Sequence, residues 1–164
     1  MRFQSKVYRL TVEVLLLGAA LTVAAGAQTP ATPSELEGTS WELVKIEGSD
    51  GKLHAPQERS RYMLAFAPHG EISARIDCNR GSGTWSANDS GQLQFGDLAT
   101  TRAMCPANSL YDLIVSQWTR VRFYALREGH LFLTLPGYGV YEFEPLPATA
   151  APAGPAAPSG PASH

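Results

Sequence analysis

Only two cysteines occur in this chain, Cys78 and Cys105, and they bracket a polar, glycine-bearing stretch, Asp77 to Pro106, DCNRGSGTWSANDSGQLQFGDLATTRAMCP. Whether they are joined constrains the fold more than any other feature. A bridge across 27 positions removes about 3.5 kcal/mol of loop-closure entropy from the unfolded chain, in the chain-entropy account. Domains of this size are stable by about 5–15 kcal/mol in total. Two readings compete, a disulfide and a pair of buried free thiols, and the compartment decides between them.

The N-terminus speaks to the compartment. Arg2, Lys6 and Arg9 give a basic start, Val14 to Ala25 is an apolar run of twelve, and Ala25-Gly26-Ala27 has the small-x-small form of a signal-peptidase site. Twelve apolar residues fall short of the roughly 20 that span a bilayer. The competing readings are a short buried helix or a retained anchor. Residues 1–27 are therefore expected to be a signal peptide, which puts the protein in the periplasm or outside the cell without a transmembrane anchor. In that oxidising setting the disulfide Cys78–Cys105 is the expectation, and no CxxC is present for redox exchange or zinc.

Cleavage after Ala27 removes three of 13 basic residues and Glu13 of 15 acidic ones, which leaves a formal charge of −4. A scattered acidic surplus does not suit nucleic acid, whose phosphates reward a basic face. Residues 28–35 read as a Pro/Thr linker and residues 36–145 as the folded domain. Residues 146–164, rich in Ala and Pro, read as a disordered tail with too little apolar surface to order itself.

Within the domain the pattern is mainly that of strands. Gly38 to Glu47 carries Trp41 and Leu43 on one face and Val44 and Ile46 on the other, so either a bulge near Leu43 or burial on both sides is expected. Arg61–Ala67 and Glu71–Asp77 alternate cleanly around Pro68-His69-Gly70, the pattern of an antiparallel hairpin. Asn79 to Gly83 reads as a glycine turn before a short strand, Thr84–Ser86, and Leu93–Phe95 as a further short strand. Gly96 to Met104 reads as extended and irregular. Leu110, Leu113, Ile114, Trp118 and Val121 fall at helical spacing, with Ser109 placed as N-cap and Asp112 in the first turn. Strands at Arg122–Arg127, Leu131–Leu135 and Val140–Glu144 follow, and Pro145 is expected to end the fold. The fold class is mostly β: a small antiparallel barrel or strongly bent sheet of about eight strands, with one amphipathic helix packed on it or plugging it. Trp41, Trp85, Trp118, Tyr62 and Phe66 are candidate core.

No arrangement in the sequence carries recognisable catalysis. Ser82 lies between glycines but lacks the strand-to-helix context of a nucleophile elbow. His54, His69, His130 and His164 stand singly, without the spacing of metal ligands on one element. Asn88, Asp89 and Asp97 near Gly91 lack the 12-residue calcium-loop pattern and read as a polar turn. No catalytic residue, cofactor or metal is expected, and the domain is expected not to be an enzyme. One recognition patch can be nominated. The bridge would bring Asn79, Arg80, Thr101 and Arg102 together, and two guanidinium forks would suit an anionic or carbonyl-rich partner. The competing reading has Asn79 capping a turn and each Arg paired with an acid such as Asp77 or Asp97.

Trp41 after Gly38, Cys78-Asn79-Arg80 with Gly83 and Trp85, Phe95-Gly96, and Leu98 to Pro106 ahead of the helix together resemble the META domain of HslJ-like proteins, over Leu36 to Glu144. Asp77 departs from the pattern, since the family often has Gly before this Cys. The resemblance implies a small antiparallel β domain with one helix, often exported in bacteria, in some members tied to heat or antibiotic stress, and no catalytic residues. The expected partner is an envelope protein or a small ligand, and a monomer is expected. The alternative is a secreted inhibitor or adaptor that blocks a hydrolase such as a protease or lysozyme through His54–Ser60 or the turn at Asn88.

Overall fold

The computed structural model describes residues 33–147. The proposed signal peptide, residues 28–32 of the linker, and the tail beyond 147 lie outside the described residues. A single helical turn, α1 (Pro33–Leu36), leads in, followed by β1 (Thr39–Gly48), β2 (Leu53–His54), β3 (Tyr62–Phe66), β4 (Glu71–Ile76) and β5 (Asn79–Ala87). After these come β6 (Leu93–Phe95), β7 (Ala99–Thr100), α2 (Tyr111–Gln117), β8 (Phe123–Arg127), β9 (His130–Leu135) and β10 (Gly139–Leu146).

Eight of the strands form one antiparallel path, β6-β5-β4-β3-β1-β10-β9-β8, with β2 added to β1 and β7 to β5. Its two outer strands nearly meet. A Gln92–Phe123 bridge, the Leu93 N–H donating to Arg122 O at 2.9 Å and the Tyr124 N–H donating to Gly91 O at 2.9 Å turn the sheet into a nearly closed barrel. Closure covers edges that would otherwise expose unpaired backbone groups. The bulge is present: the β1–β10 register shifts between Leu43 and Lys45, so Leu43 and Ile46 both point into the core while Val44 is only half-buried.

The interior is aromatic and aliphatic. Phe66 meets Trp85 edge-on at 5.2 Å between centroids, and Phe95 stacks on Trp118 at 4.5 Å. All five aromatics named as core are buried. Each indole N–H has an acceptor: Trp41 donates to Thr39 Oγ1, Trp85 to the Ala67 carbonyl and Trp118 to the Gly96 carbonyl. Buried polar handles of this kind would otherwise cost about 1–3 kcal/mol each. The helix is shorter than its apolar spacing suggested. It runs from Tyr111 to Gln117 and tightens into a 3₁₀ turn at Trp118–Arg120, laying Ile114 and Trp118 against the barrel interior. Ser109 still serves the helix start, its Oγ accepting from the Tyr111 N–H at 3.1 Å.

Two expectations are corrected. Asn79–Ala87 is one continuous strand, not a turn followed by a short strand, so Ser82 is a strand residue. Its glycines serve close approach rather than unusual backbone angles, since neither Gly81 nor Gly83 has positive φ. A Cβ at Gly83 would stand 2.7 Å from the Asp97 carbonyl oxygen, and one at Gly81 would stand 3.0 Å from Leu98 Cδ1. Gly83→Ala is therefore expected to lower stability by about 1–3 kcal/mol, because backbone rather than a flexible side chain must move; urea denaturation measures it. Pro145 does not end the last strand, which continues to Leu146 opposite Ser40. The β9 ladder has already stopped at Phe143, so a residue without an N–H forfeits nothing on that side.

On the outer face, Glu42 lies directly opposite Glu144. Burial, and then the Glu144 carboxylate, raise the Glu42 pKa, with Arg59 opposing. Arg59 Nη1 sits 2.8 Å from Glu144 Oε1. A raised folded-state pKa means the fold favours the protonated acid, so this site costs stability once Glu42 ionises. Glu42→Gln should be more stable than the parent at neutral pH. The gain should vanish as pH falls through the carboxylate range, a comparison that urea titrations at the two pH values make directly.

Candidate functional site

A densely hydrogen-bonded part of the surface is the β4–β5 turn and the segment bridged to it. The turn consists of Asp77 and Cys78, between the paired residues Ile76 and Asn79. Asp77 has φ 57°, in the left-handed region that glycine enters freely and Asp tolerates. That is the position where the related pattern often has Gly, and Asp77 takes a conformation that Gly enters freely. The Asp77 side chain adds something glycine cannot. It is 4% exposed, and its carboxylate pairs with the Arg61 guanidinium.

Cys78 and Cys105 form the expected disulfide, with Cα atoms 5.5 Å apart. Beside it, Asn79 is 1% exposed. Its Oδ1 accepts from the Ala103 N–H at 2.8 Å and from Thr101 Oγ1 at 2.9 Å, and its Nδ2 donates to the Ala103 carbonyl at 3.0 Å. The side-chain amide thus pairs with both backbone groups of Ala103, as a neighbouring strand would. Thr101 completes the attachment: its N–H donates to Arg80 O at 2.9 Å, and its Oγ1 accepts from the Arg80 N–H at 3.0 Å.

Of the four residues nominated for a recognition patch, Asn79 and Thr101 spend their polar atoms on this attachment. Arg80 and Arg102 are exposed, and neither has an ion-pair partner within 4 Å among the described residues. Asp77, one of the acids considered as their partner, is taken by Arg61. A further arginine belongs to the same surface: Arg75 sits directly opposite Arg80 in the β4–β5 register. Only strand register could have revealed it.

The bridged segment, expected to be extended and irregular, is irregular here apart from β7 at its start. Residues 101–106 carry no turn or bend, and Thr101 to Met104 are all exposed. Met104 is 99% exposed. The two loops named for an inhibitor are built differently. His54 pairs with Ile46 through β2, and Arg59–Arg61 is a 3₁₀ turn. Asn88 closes its own turn, Oδ1 accepting from Ser90 N, Ser90 Oγ and Gln92 N.

The barrel interior is filled. An apolar cavity of about 30 Å³ remains between Leu43, Ile114, Trp118, Leu133, Tyr141 and Phe143, space for about one water. The phenol of Tyr141 donates to Gln117 Oε1 at 2.8 Å, and burial holds its pKa far above the usual range. A polar cleft of about 510 Å³ lies outside, along Glu58, Arg61, Asp77, Pro106 and Ser109. Among the described residues no cluster of three His, Cys, Asp or Glu could hold a metal ion. His130 Nδ1 lies 2.9 Å from Glu142 Oε1, and His164 is outside the described residues. No helix of the described residues is long and apolar enough to cross a membrane.

The family model described as the META domain matches residues 34–146. Among solved structures, a protein from Burkholderia xenovorans determined by NMR is similar at 21% identity and a TM-score of 0.60, over 69% of this chain and 85% of that one. A second protein solved by NMR gives 22% identity and a TM-score of 0.54, over 70% of this chain and 94% of that one. A crystal structure of a DUF4847 family protein from Bacteroides vulgatus gives 16% and 0.50, over 68% and 94%. At these identities the likeness is one of fold alone. No curated protein matches the chain.

Proposed function

The chain belongs to the META-domain family, and from that membership we propose that it is an exported, non-enzymatic domain that acts in the cell envelope by binding, in protection against stress. The observation that carries this reading is the use made of the buried polar group beside the disulfide. Asn79 commits its amide to holding a surface segment in place. Export is supported by the Cys78–Cys105 bridge, which belongs to an oxidising compartment. The recognition surface would be Arg80 and Arg102, joined by Arg75. Among the described residues their guanidinium forks have no ion-pair partner, and they are set on a braced frame suited to an anionic partner or ligand.

The test is complementation. A strain lacking the gene should be sensitised to heat or to an envelope-directed antibiotic. The full chain should rescue it, and a chain lacking residues 1–27 should not. Rescue by the leaderless chain would overturn the envelope assignment.

A second reading, the secreted inhibitor or adaptor of a hydrolase, is favoured by a different observation. A stretch without turn or bend, exposed from Thr101 to Met104, is pinned from beneath by Asn79 and at one end by the disulfide.

A further inference from the structure

We propose that residues 101–106 form a substrate-like loop that occupies the active-site cleft of a serine endopeptidase, with Met104 filling an apolar specificity pocket. The inference rests on the inhibitor reading and moves its contact surface away from both loops that the sequence suggested.

Endopeptidases bind their substrates as extended strands, through backbone bonds on one side and side-chain pockets on the other. Residues 101–106 continue from β7 without turn or bend, and Ala103 offers both its backbone groups to one amide, as a strand residue does. In an extended chain the backbone polar groups of successive residues point to opposite sides. Those of Ala103 point inward, both held by Asn79, and the Thr101 N–H is held by Arg80 O. Arg102 and Met104 therefore turn their N–H and C=O groups outward, free to pair with a cleft. Their side chains, two residues apart, share one face.

Between these two residues Met104 is the anchor. A singly exposed apolar side chain is ordinary in itself; what distinguishes Met104, 99% exposed, is that it stands between the pinned Ala103 and the bridged Cys105. Binding would bury it in a pocket of matching chemistry, with little further ordering of the backbone. Rigidity also separates an inhibitor from a substrate. Were the Met104–Cys105 peptide bond hydrolysed, the Asn79 bonds to Ala103 and the bridge from Cys105 to Cys78 would keep the two new ends in place.

The experiment uses the oxidised full chain without its leader, titrated against chymotrypsin and subtilisin, which accept large apolar side chains, and against trypsin as a control. Inhibition of the first two is expected. Met104→Gly should weaken it about 100-fold, the scale of a lost central anchor. Met104→Lys should transfer inhibition to trypsin. Met104 is exposed, so both variants should keep the parent melting temperature, which separates lost binding from lost folding. Absence of inhibition at about 100 µM, a concentration at which even weak complexes form, would overturn the proposal, while inhibition of a lysozyme or another hydrolase would still sustain the inhibitor reading. Rapid cleavage at Met104–Cys105 would overturn the proposal as well. Inhibition that Met104→Gly leaves intact would overturn the loop assignment while sparing the inhibitor reading. The complementation test is independent of all these results.

Discussion

Asn79→Leu should cost about 3 kcal/mol, although the site is at the surface end of the barrel rather than in its aromatic core. Leucine has nearly the same shape, so the loss comes from partners rather than from volume. The Ala103 N–H and C=O and the Thr101 hydroxyl all lose the group they bond. Leaving a buried polar group unpaired costs about 1–3 kcal/mol, and the segment can recover part of this by moving into water. For a domain of roughly 100 residues the expected fall in melting temperature is about 10–20 °C. Asn79→Asp is a sharper variant. It keeps the acceptor for Ala103 N–H but removes the donor to Ala103 O and places a carboxylate in a site 1% exposed, so it should also be destabilising at neutral pH. By contrast, Arg80→Ala and Arg102→Ala should leave the melting temperature nearly unchanged, since both side chains are exposed. A large fall in either would mean that the arginines hold the fold.

The double substitution Cys78→Ser and Cys105→Ser is the second large effect. The bridge closes 27 positions, and its loss is expected to cost about 3.5 kcal/mol in the chain-entropy account. The more telling measurement is the combination with Asn79→Leu. Both devices hold the same segment to the same hairpin, so the combined loss should fall short of the sum by about 1 kcal/mol or more. Full additivity would mean that the two act independently. Mass analysis after alkylation gives the chemical counterpart: no reactive thiol in the native protein, and two after reduction.

How much of this was legible beforehand depended on the range of the interaction. The β3–β4 hairpin, the bulge in β1 and the burial of the tryptophans follow from alternation and turn residues within a few positions. Each was readable. The strand through Gly81 and Gly83 was not, because those glycines answer to Asp97 and Leu98, a tertiary neighbour rather than a local turn. Pro145 misled for a related reason: its cost depends on where β9 stops, which the sequence does not mark. The role of Asn79 needs a contact 24 residues away, and the disulfide expectation brought the right segments together without revealing which atoms join them. Arg75 was invisible until the β4–β5 register set it opposite Arg80.

The pairing of β1 with β10 has one more consequence, for how the molecule is held. Ser40 lies opposite Leu146, so both ends of the domain leave the barrel side by side, level with Phe66 and Ile72 on β3 and β4. The Asp77–Cys78 turn is at the far end of those strands, about 16 Å away at roughly 3.3 Å per residue. Attachment through either flanking segment therefore presents the same pole outward, the one that carries the bridge and Met104. The ends are also near enough to be joined. A circular permutant linked from 147 to 33 and opened at the Asn88–Gly91 turn should fold to the same barrel with its bridged pole intact.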